Sequence, residues 1–322
     1  MDFLSIGGVK IEKSCGLSPM ASVADRAYRE ICRGFGASYL VSEMVSAKGL
    51  CYDGAKSVEL CRVYDSERPY AIQLFGEEPE FIAKAVKAVN RFKPDIIDIN
   101  MGCPVAKVVG PGGGSALMKT PELAYDIVHA AVLEADCPVT VKIRSGWDES
   151  HINAPEFAFM MERAGALAIA VHPRTRAQMY SGHSDWGVIK RVREAVSVPV
   201  IGNGDVTCGE DAVKMYCETG CDFITLARAS NGRPWVFSQI KHYMETGETL
   251  PEPGLSEKMK VMLFHVDKII EYKGERQGIR EARKNVAWYL KGVRGAAALR
   301  NRAGTIETRD DVLKIIDEVL KC

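Results

Sequence analysis

A cysteine stands between an apolar run and a glycine-rich loop in the segment DINMGCPVAKVVGPGGGS, residues 98 to 115. This thiol, Cys103, could act as a nucleophile, a metal ligand, half of a redox pair or an acid, or it could be a small apolar filler. The ten cysteines include no CxxC pair, and the closest two, Cys217 and Cys221, lie in a helix-like stretch. We therefore expect no metal site and no disulfide.

Polar side chains also stand at the ends of other short apolar runs. Because strands buried in a parallel sheet are nearly all apolar, polar residues at their carboxyl ends are informative. In chain order they are Gln73, Asn100, Cys103, Lys142, Arg144, His172, Arg174, Asn203, Asp205 and Arg228. The carboxyl ends of barrel strands form one face, so this placement predicts one site assembled from several strands.

Short β-rich runs that could provide those strands occur at residues 14–18, 38–43, 70–75, 95–100, 139–144, 167–172, 198–203 and 223–228. Such runs, separated by helical patterns, are typical of parallel βα units. We predict an α/β fold, with a (β/α)8 TIM barrel over residues 1–250 and a small all-helical C-terminal domain over residues 251–322. An open doubly wound sheet is the alternative, but no GxGxxG follows an early strand.

The predicted barrel and C-terminal domain also require helices, and helical patterns occur in both parts of the chain. They fall at residues 25–33, 79–92, 121–135 and 185–196, and beyond the barrel at 256–273, 280–290 and 308–320. The last group carries an excess of Lys and Arg between residues 273 and 302, although the formal net charge of the chain is zero. The zero net charge argues against a protein that coats nucleic acid through its overall charge. The excess of Lys and Arg predicts a positive electrostatic field at the C-terminal end of the protein.

The sequence shows no apolar stretch long enough to span a bilayer and no secretory signal at its start. We expect a cytoplasmic protein without a membrane partner or a metal, and a monomer.

Two features of the predicted rim suggest a phosphorylated, redox-active ligand. Small residues and Arg228 follow the last two strands, where such barrels commonly bind phosphate, although ordinary tight turns would explain the same residues. The alternation in VTVKIR turns Lys142 toward the barrel interior, where an ammonium needs a partner. A reduced flavin could provide one, and the Gln73 amide could then bond its ring.

The segment around Cys103 resembles the signature of tRNA-dihydrouridine synthases, with Asp98, Asn100, Cys103 and Gly114-Ser115 at the expected spacing. Further similar segments are SPMASVADRAYR, SEMVS, QLFG, VKIRSGW, HPRTRAQMYSG, IGNGDV, RASNGRPWVF and IREARKNVAWYLKG. The resemblance covers nearly the whole chain and is closest to the bacterial B subfamily. It implies an FMN-dependent enzyme that reduces specific uridines of tRNA to 5,6-dihydrouridine with electrons from NADPH.

The resemblance also implies roles for individual residues. Cofactor contacts are expected from Pro19, Met20, Ala21, Gln73, Lys142, His172, Asn203, Gly204, Asp205, Ala227 and Arg228. RNA contacts are expected from Asn100, which would face the uracil, and from Arg144, Arg174, Arg176, Arg280, Arg283 and Lys284. Pro173 and Asn285 depart from the family pattern, and the second puts a tRNA contact in doubt.

Cys103 is expected to be the acid of the reaction. Hydride transfer from flavin N5 to uracil C6 leaves an enolate whose C5 needs a proton, and a thiol with a pKa near ~8.5 is still protonated at neutral pH. The glycine-rich loop is expected to give this residue and the incoming base room to move. Three rivals stay open: an FMN barrel acting on a free pyrimidine or enoate, an RNA-binding protein with a vestigial flavin site, and a lyase using Lys142 as a Schiff base.

Overall fold

A computed structural model describes residues 2–52 and 54–321 of the chain. Within these ranges the strands are β1 Phe3–Ile6, β2 Val9–Glu12, β3 Gly16–Leu17, β4 Leu40–Val41, β5 Val45–Ser46, β6 Tyr70–Phe75, β7 Ile96–Met101, β8 Val139–Arg144, β9 Ile169–His172, β10 Val200–Asn203 and β11 Phe223–Leu226. Each of the predicted β-rich runs overlaps one of them.

The helices of the barrel region are α1 Arg26–Gly34, α2 Ala47–Cys51, α3 Ala55–Leu60, α4 Pro79–Asn90, α5 Ala106–Val109, α6 Pro121–Glu134, α7 Ala154–Arg163, α8 Trp186–Ala195, α9 Gly209–Thr219 and α10 Val236–Thr246. Those that follow are α11 Leu255–Lys273, α12 Glu275–Tyr289, α13 Ala296–Ala303 and α14 Arg309–Lys321. The side chains of Asp25 and Asp185 cap the first turns of α1 and α8, which explains why these two starts could be predicted.

The central sheet is a closed parallel barrel in the order β3-β4-β6-β7-β8-β9-β10-β11, because β11 pairs with β3 through Thr225 and Gly16. The short β5 adds to the edge of β6. Isoleucine, valine and leucine side chains of the barrel strands pack against the surrounding helices and form the main core. The predicted (β/α)8 barrel is confirmed.

A hairpin of β1 and β2, which the sequence did not reveal, covers the amino-terminal end of the barrel. Its residues Leu4, Ile6 and Ile11 are buried in one cluster with Tyr39 and Phe223. The hairpin therefore seals the end of the barrel opposite the polar residues.

The helices after residue 254 surround a second hydrophobic cluster, whose members include Met262, Val266, Ile279 and Val286. This cluster reaches the barrel through Ala27 of α1. Helix α12 begins five residues before the predicted start at 280, and α13 was not predicted. Residues 247–254 contain no helix or strand, and the domain boundary proposed at residue 250 stays a prediction.

Candidate functional site

One cavity of about 660 Å³ opens at the carboxyl ends of the barrel strands. The sequence-predicted residues that line it are Pro19, Met20, Ala21, Gln73, Asn100, Cys103, Lys142, Arg144, His172, Arg174, Asn203, Gly204, Asp205, Ala227 and Arg228. The structure therefore brings the predicted rim residues together.

Cys103 lies in the loop after β7, with its side chain partly buried in the cavity wall. Burial raises the pKa of the Cys103 thiol above its ordinary value, while a hydrogen bond from the Val105 backbone and the charge of Arg144 oppose the rise. The thiol is therefore protonated at neutral pH. It can donate a proton, and it is a poor nucleophile in this state.

The glycine-rich loop holds the backbone of Cys103 in place. The Ser115 N–H and hydroxyl donate to the Cys103 carbonyl oxygen at 3.0 and 2.9 Å. Gly114 has a φ of +56°, and a Cβ there would lie 2.7 Å from that same oxygen. The expectation that this loop leaves Cys103 room to move was wrong, because glycine lets the loop close onto the residue instead.

A chain of buried amides connects Cys103 to the barrel interior. Asn100 Oδ1 accepts hydrogen bonds from the backbone N–H groups of Gly102 and Cys103 at 3.1 and 2.9 Å. Its Nδ2 donates to Gln73 Oε1 at 2.8 Å, and Gln73 Nε2 donates to Asp98 Oδ2 at 2.7 Å. One hydrogen bond thus joins the two amides, and their other hydrogen bonds go to the Cys103 loop and to Asp98. The sequence reasoning did not single out Asp98 as part of the site.

Lys142 and His172 make the cavity floor electrostatically unusual. Burial, reinforced by the charge of Arg144, lowers the pKa of Lys142 to about 8, and its Nζ donates to Asn203 Oδ1 at 3.3 Å. Burial, followed by the charges of Lys142 and three arginines, lowers the pKa of His172 to about 2. The imidazole is therefore neutral, and the ammonium is a strong donor with few protein partners.

Two buried arginines hold the rim loop formed by residues 173–184. Arg144 donates to the carbonyl oxygens of Gly102, Thr175 and Met179 at 2.7 to 2.9 Å. Arg174 pairs with Asp205 at 2.7 Å. Both arginines are only 2% exposed. Their guanidinium groups are bonded inside the protein, yet both residues line the cavity, so the expectation that they contact RNA stays a prediction.

Gly204 and Asp205 form a tight turn after β10, with φ values of +134° and +55°. A Cβ at Gly204 would meet His172 Cδ2 and Ser184 Oγ at 3.2 Å, so the turn needs glycine. The Asp205 carboxylate accepts from Arg174 and from the Ser184 N–H and hydroxyl. A phosphate at this turn would have to use backbone N–H groups, because the carboxylate would repel it.

Tyr180 is a cavity residue that the sequence reasoning missed. Its ring stacks on His172 with centroids 6.4 Å apart, and the guanidinium carbons of Arg144 and Arg228 lie 5.4 and 5.0 Å from its centroid. The side chain is 48% exposed, so it forms part of the wall at the mouth of the cavity. Its only sequence signal was its place in the HPRTRAQMYSG segment.

The remaining predicted RNA contacts lie outside the cavity. Arg176 stands 4.8 Å from the ring centroid of Trp147 on the barrel. Arg280 and Arg283 line a second concavity of about 760 Å³ on α12, although Arg283 also donates to the Ile306 carbonyl. Lys284 donates to the Ser22 carbonyl, beside the cavity-lining residues that follow β3.

The two positions that depart from the family pattern are both buried. Asn285 is 4% exposed, so it faces the interior of the helical region rather than a macromolecule. Pro173 is buried at the start of the rim loop, and its carbonyl accepts from the Asp185 N–H at 3.0 Å. Neither residue offers an exposed contact.

Fold and site together define a (β/α)8-barrel enzyme with a protonated thiol facing cationic and neutral donors across one cavity. The chain belongs to the dihydrouridine synthase (Dus) family, whose model matches residues 16–321. The resemblance drawn from the segments around Cys103 is confirmed.

Proteins named as tRNA-dihydrouridine synthases are similar in sequence to this chain over almost its full length. The chain is 40% identical over 311 residues to tRNA-dihydrouridine synthase B of Pseudomonas aeruginosa, covering 96% of this chain and 93% of that protein. It is also 40% identical over 315 residues to tRNA-dihydrouridine synthase B of Vibrio cholerae, covering 98% of each. Histamine dehydrogenase from Rhizobium sp. 4-9 shares the barrel fold, with a TM-score of 0.58 at 13% identity, over 83% of this chain and 50% of that one.

In the described ranges, no helix has both the length and the apolar character that a membrane crossing requires.

Proposed function

We propose that this protein reduces specific uridines of tRNA to 5,6-dihydrouridine, using FMN as the resident cofactor and NADPH as the electron donor. The observation that carries the proposal is the single cavity in which Cys103, Lys142, His172 and Arg228 meet, in a chain of the dihydrouridine synthase family. Relatives along the whole chain are named for action on tRNA.

The donor set of the cavity fits FMN. Lys142 has three N–H donors, and its bond to Asn203 leaves others for an anionic ring edge. The turn of Gly204 and Asp205 allows backbone to approach a phosphate closely, and the exposed Arg228 lies on the loop after β11. Pro19, Met20 and Ala21 supply a wall after β3.

When bound, the flavin supplies a hydride to C6 of the pyrimidine. Cys103 then supplies the proton that C5 requires, since its raised pKa keeps the thiol protonated until it is needed. Asn100, which lines the cavity beside Cys103, faces the base. The rim loop and Tyr180 separate this chemistry from bulk water.

Recognition of tRNA is assigned to the basic surface outside the cavity. The target base must leave its stack to enter, at a cost of a few kcal/mol. Arg176, Arg280, Arg283 and Lys284 offset this cost by neutralising phosphates. Lys284 lies near the mouth, whereas Arg280 is exposed further along the same helix. This surface favours a macromolecular substrate over a free pyrimidine.

The experiment is an assay of the purified protein, which we expect to act as a monomer and to work in the cytoplasm. We predict a yellow protein that is bleached by NADPH and that forms dihydrouridine in unmodified tRNA. A colourless protein, or one that reduces free pyrimidines while leaving tRNA unchanged, would contradict the proposal. Replacing NADPH by NADH tests the choice of donor.

A further inference from the structure

The carboxylate of Asp98 lies inside the barrel, below the floor of the cavity. It is 4% exposed, and no Lys or Arg of the described residues forms an ion pair with it. Its two oxygens accept from Gln73 Nε2 at 2.7 Å and from Thr140 Oγ1 at 2.6 Å. A buried carboxylate is costly, so its retention here calls for a role.

The hydrogen bonds above Asp98 can run in only one direction. An ionised carboxylate accepts and never donates, so the NH₂ end of Gln73 must face it. Gln73 Oε1 then faces Asn100 and accepts from Nδ2, which leaves Asn100 Oδ1 to face the backbone N–H groups of Gly102 and Cys103. Both ends of this chain are fixed by groups that cannot reverse, a carboxylate and two peptide N–H groups.

Reversing the two amides would set the NH₂ group of Asn100 against the N–H groups of Gly102 and Cys103. The loop would then lose two hydrogen bonds and gain a repulsion between donors. Strand pairing keeps the participants in register, since Gln73 lies opposite Asp98 and Asp98 opposite Thr140 on the neighbouring strands.

We propose that Asp98 is a positioning residue that fixes the orientation of the Gln73 and Asn100 amides and thereby holds the backbone of Cys103. The inference rests on the proposed function only in taking Cys103 to be the proton donor. Burial raises the pKa of Asp98 to about 6, against opposing effects of Gln73, Thr140 and Lys142, so the carboxylate is mostly ionised at neutral pH.

The test compares variants that remove or keep the acceptor. Asp98→Leu leaves Gln73 Nε2 without a partner, whereas Asp98→Asn keeps an oxygen for Gln73 and turns its NH₂ group to the Thr140 hydroxyl. Thr140→Val, which removes only the second partner of Asp98, is the matched control. Circular dichroism and thermal unfolding establish that each variant is folded.

The main measurement is the rate at which iodoacetamide alkylates Cys103 in cofactor-free protein, followed from pH 6 to 9 by peptide-resolved mass spectrometry. Asp98→Leu should release the loop and speed alkylation several-fold, with a lower apparent pKa for the thiol. In the loaded enzyme kcat should fall by about 10 to 100-fold while KM for tRNA changes little, because a small displacement of the donor affects the chemical step. Asp98→Asn and Thr140→Val should stay within a few-fold of the unaltered protein.

Unchanged alkylation in a folded Asp98→Leu protein would overturn the proposal, and so would an equal loss in Asp98→Asn. If Asp98→Leu does not fold, Gln73→Met breaks the next link and should show the same faster alkylation, and no change there overturns the proposal. The alkylation assay needs neither tRNA nor flavin. A protein that follows the alkylation pattern but reduces no uridine would therefore support the positioning role while rejecting the proposed function.

Discussion

Ser115 holds the carbonyl oxygen of Cys103 with two hydrogen bonds, one from its backbone N–H at 3.0 Å and one from its hydroxyl at 2.9 Å. Asn100 holds the N–H of the same residue at 2.9 Å. Both peptide groups of Cys103 are therefore bonded to neighbours on either side of the loop. The thiol therefore faces the cavity from a backbone that is held in place. A proton donor needs such a fixed position relative to the atom that it protonates.

Gly114 is needed for this closure, and Gly114→Ala should show it. The added Cβ would lie 2.7 Å from the Cys103 carbonyl oxygen at a φ of +56°, so we expect a loss of about 1 to 3 kcal/mol of unfolding free energy and a larger relative loss of kcat. Gly113→Ala is the control, because its nearest contact is 3.2 Å and its φ is negative. Equal effects of the two substitutions in urea unfolding and turnover would show that the contact with Cys103 is not special.

Cys103→Ala should separate proton donation from cofactor binding. We expect FMN content and the rate of flavin reduction by NADPH to stay near those of the unaltered protein, because Cys103 is not among the residues proposed to hold the cofactor. Dihydrouridine formation should fall by about 10² to 10⁴-fold, the range for loss of a general acid. Cys208→Ala, at another partly buried thiol, is the control. Loss of flavin from Cys103→Ala would mean that the cysteine is structural.

The lowered pKa of Lys142 predicts a pH dependence of stability in the cofactor-free protein. Between pH 8 and 10.5 the unfolded chain binds a proton that the folded chain does not, so stability rises with pH across this window. Below pH 8 the folded state carries the charge at a cost. Lys142→Met should therefore be more stable by about 1 to 2 kcal/mol at pH 7, after allowance for partial exposure, and the gap should close toward pH 10.5. The free energies of unfolding of both proteins are measured in urea at each pH. A difference between them that does not narrow as the pH rises would show that the charge of Lys142 is not its cause.

The basic surface of α12 should govern the salt dependence of tRNA binding. Removing one phosphate contact by Arg280→Gln or Lys284→Gln should reduce the slope of log K against log salt by about 1, with little change in turnover at saturating tRNA. Lys87→Gln on α4, an exposed lysine of the barrel exterior, is the control. Identical slopes for all four proteins would exclude α12 from the RNA contact surface.

The barrel could be predicted because its local signals agree. Apolar runs such as those in β6 and β7 are almost fully buried and are separated by helices with capping residues such as Asp25. The alternation of side chains along β8 correctly predicted that Lys142 points toward the barrel interior. Val141 and Ile143, its neighbours in the strand, point the other way and pack in the main core. The N-terminal hairpin escaped prediction because β1 and β2 are buried on one face only, so neither shows the continuous buried run of β6 or β7.

The parts that could not be predicted depend on contacts between distant segments. Arg144 and Arg174 are the kind of residue that contacts RNA. Only the fold shows that Arg144 donates to backbone carbonyl oxygens and that Arg174 pairs with Asp205. The glycine-rich loop looked permissive, yet its role depends on how closely Gly114 approaches Cys103. In the sequence Asp98 is one residue of a motif, and its role depends on the hydrogen bonds that Gln73 and Thr140 donate to it in the fold.

The most direct test of the central claim is site-resolved mapping of dihydrouridine in tRNA from cells that lack this gene. We predict that dihydrouridine disappears from specific tRNA positions, returns when the unaltered gene is restored, and stays absent when the Cys103→Ala form is expressed at the same level. Unchanged dihydrouridine at every position in the deleted strain would contradict the account.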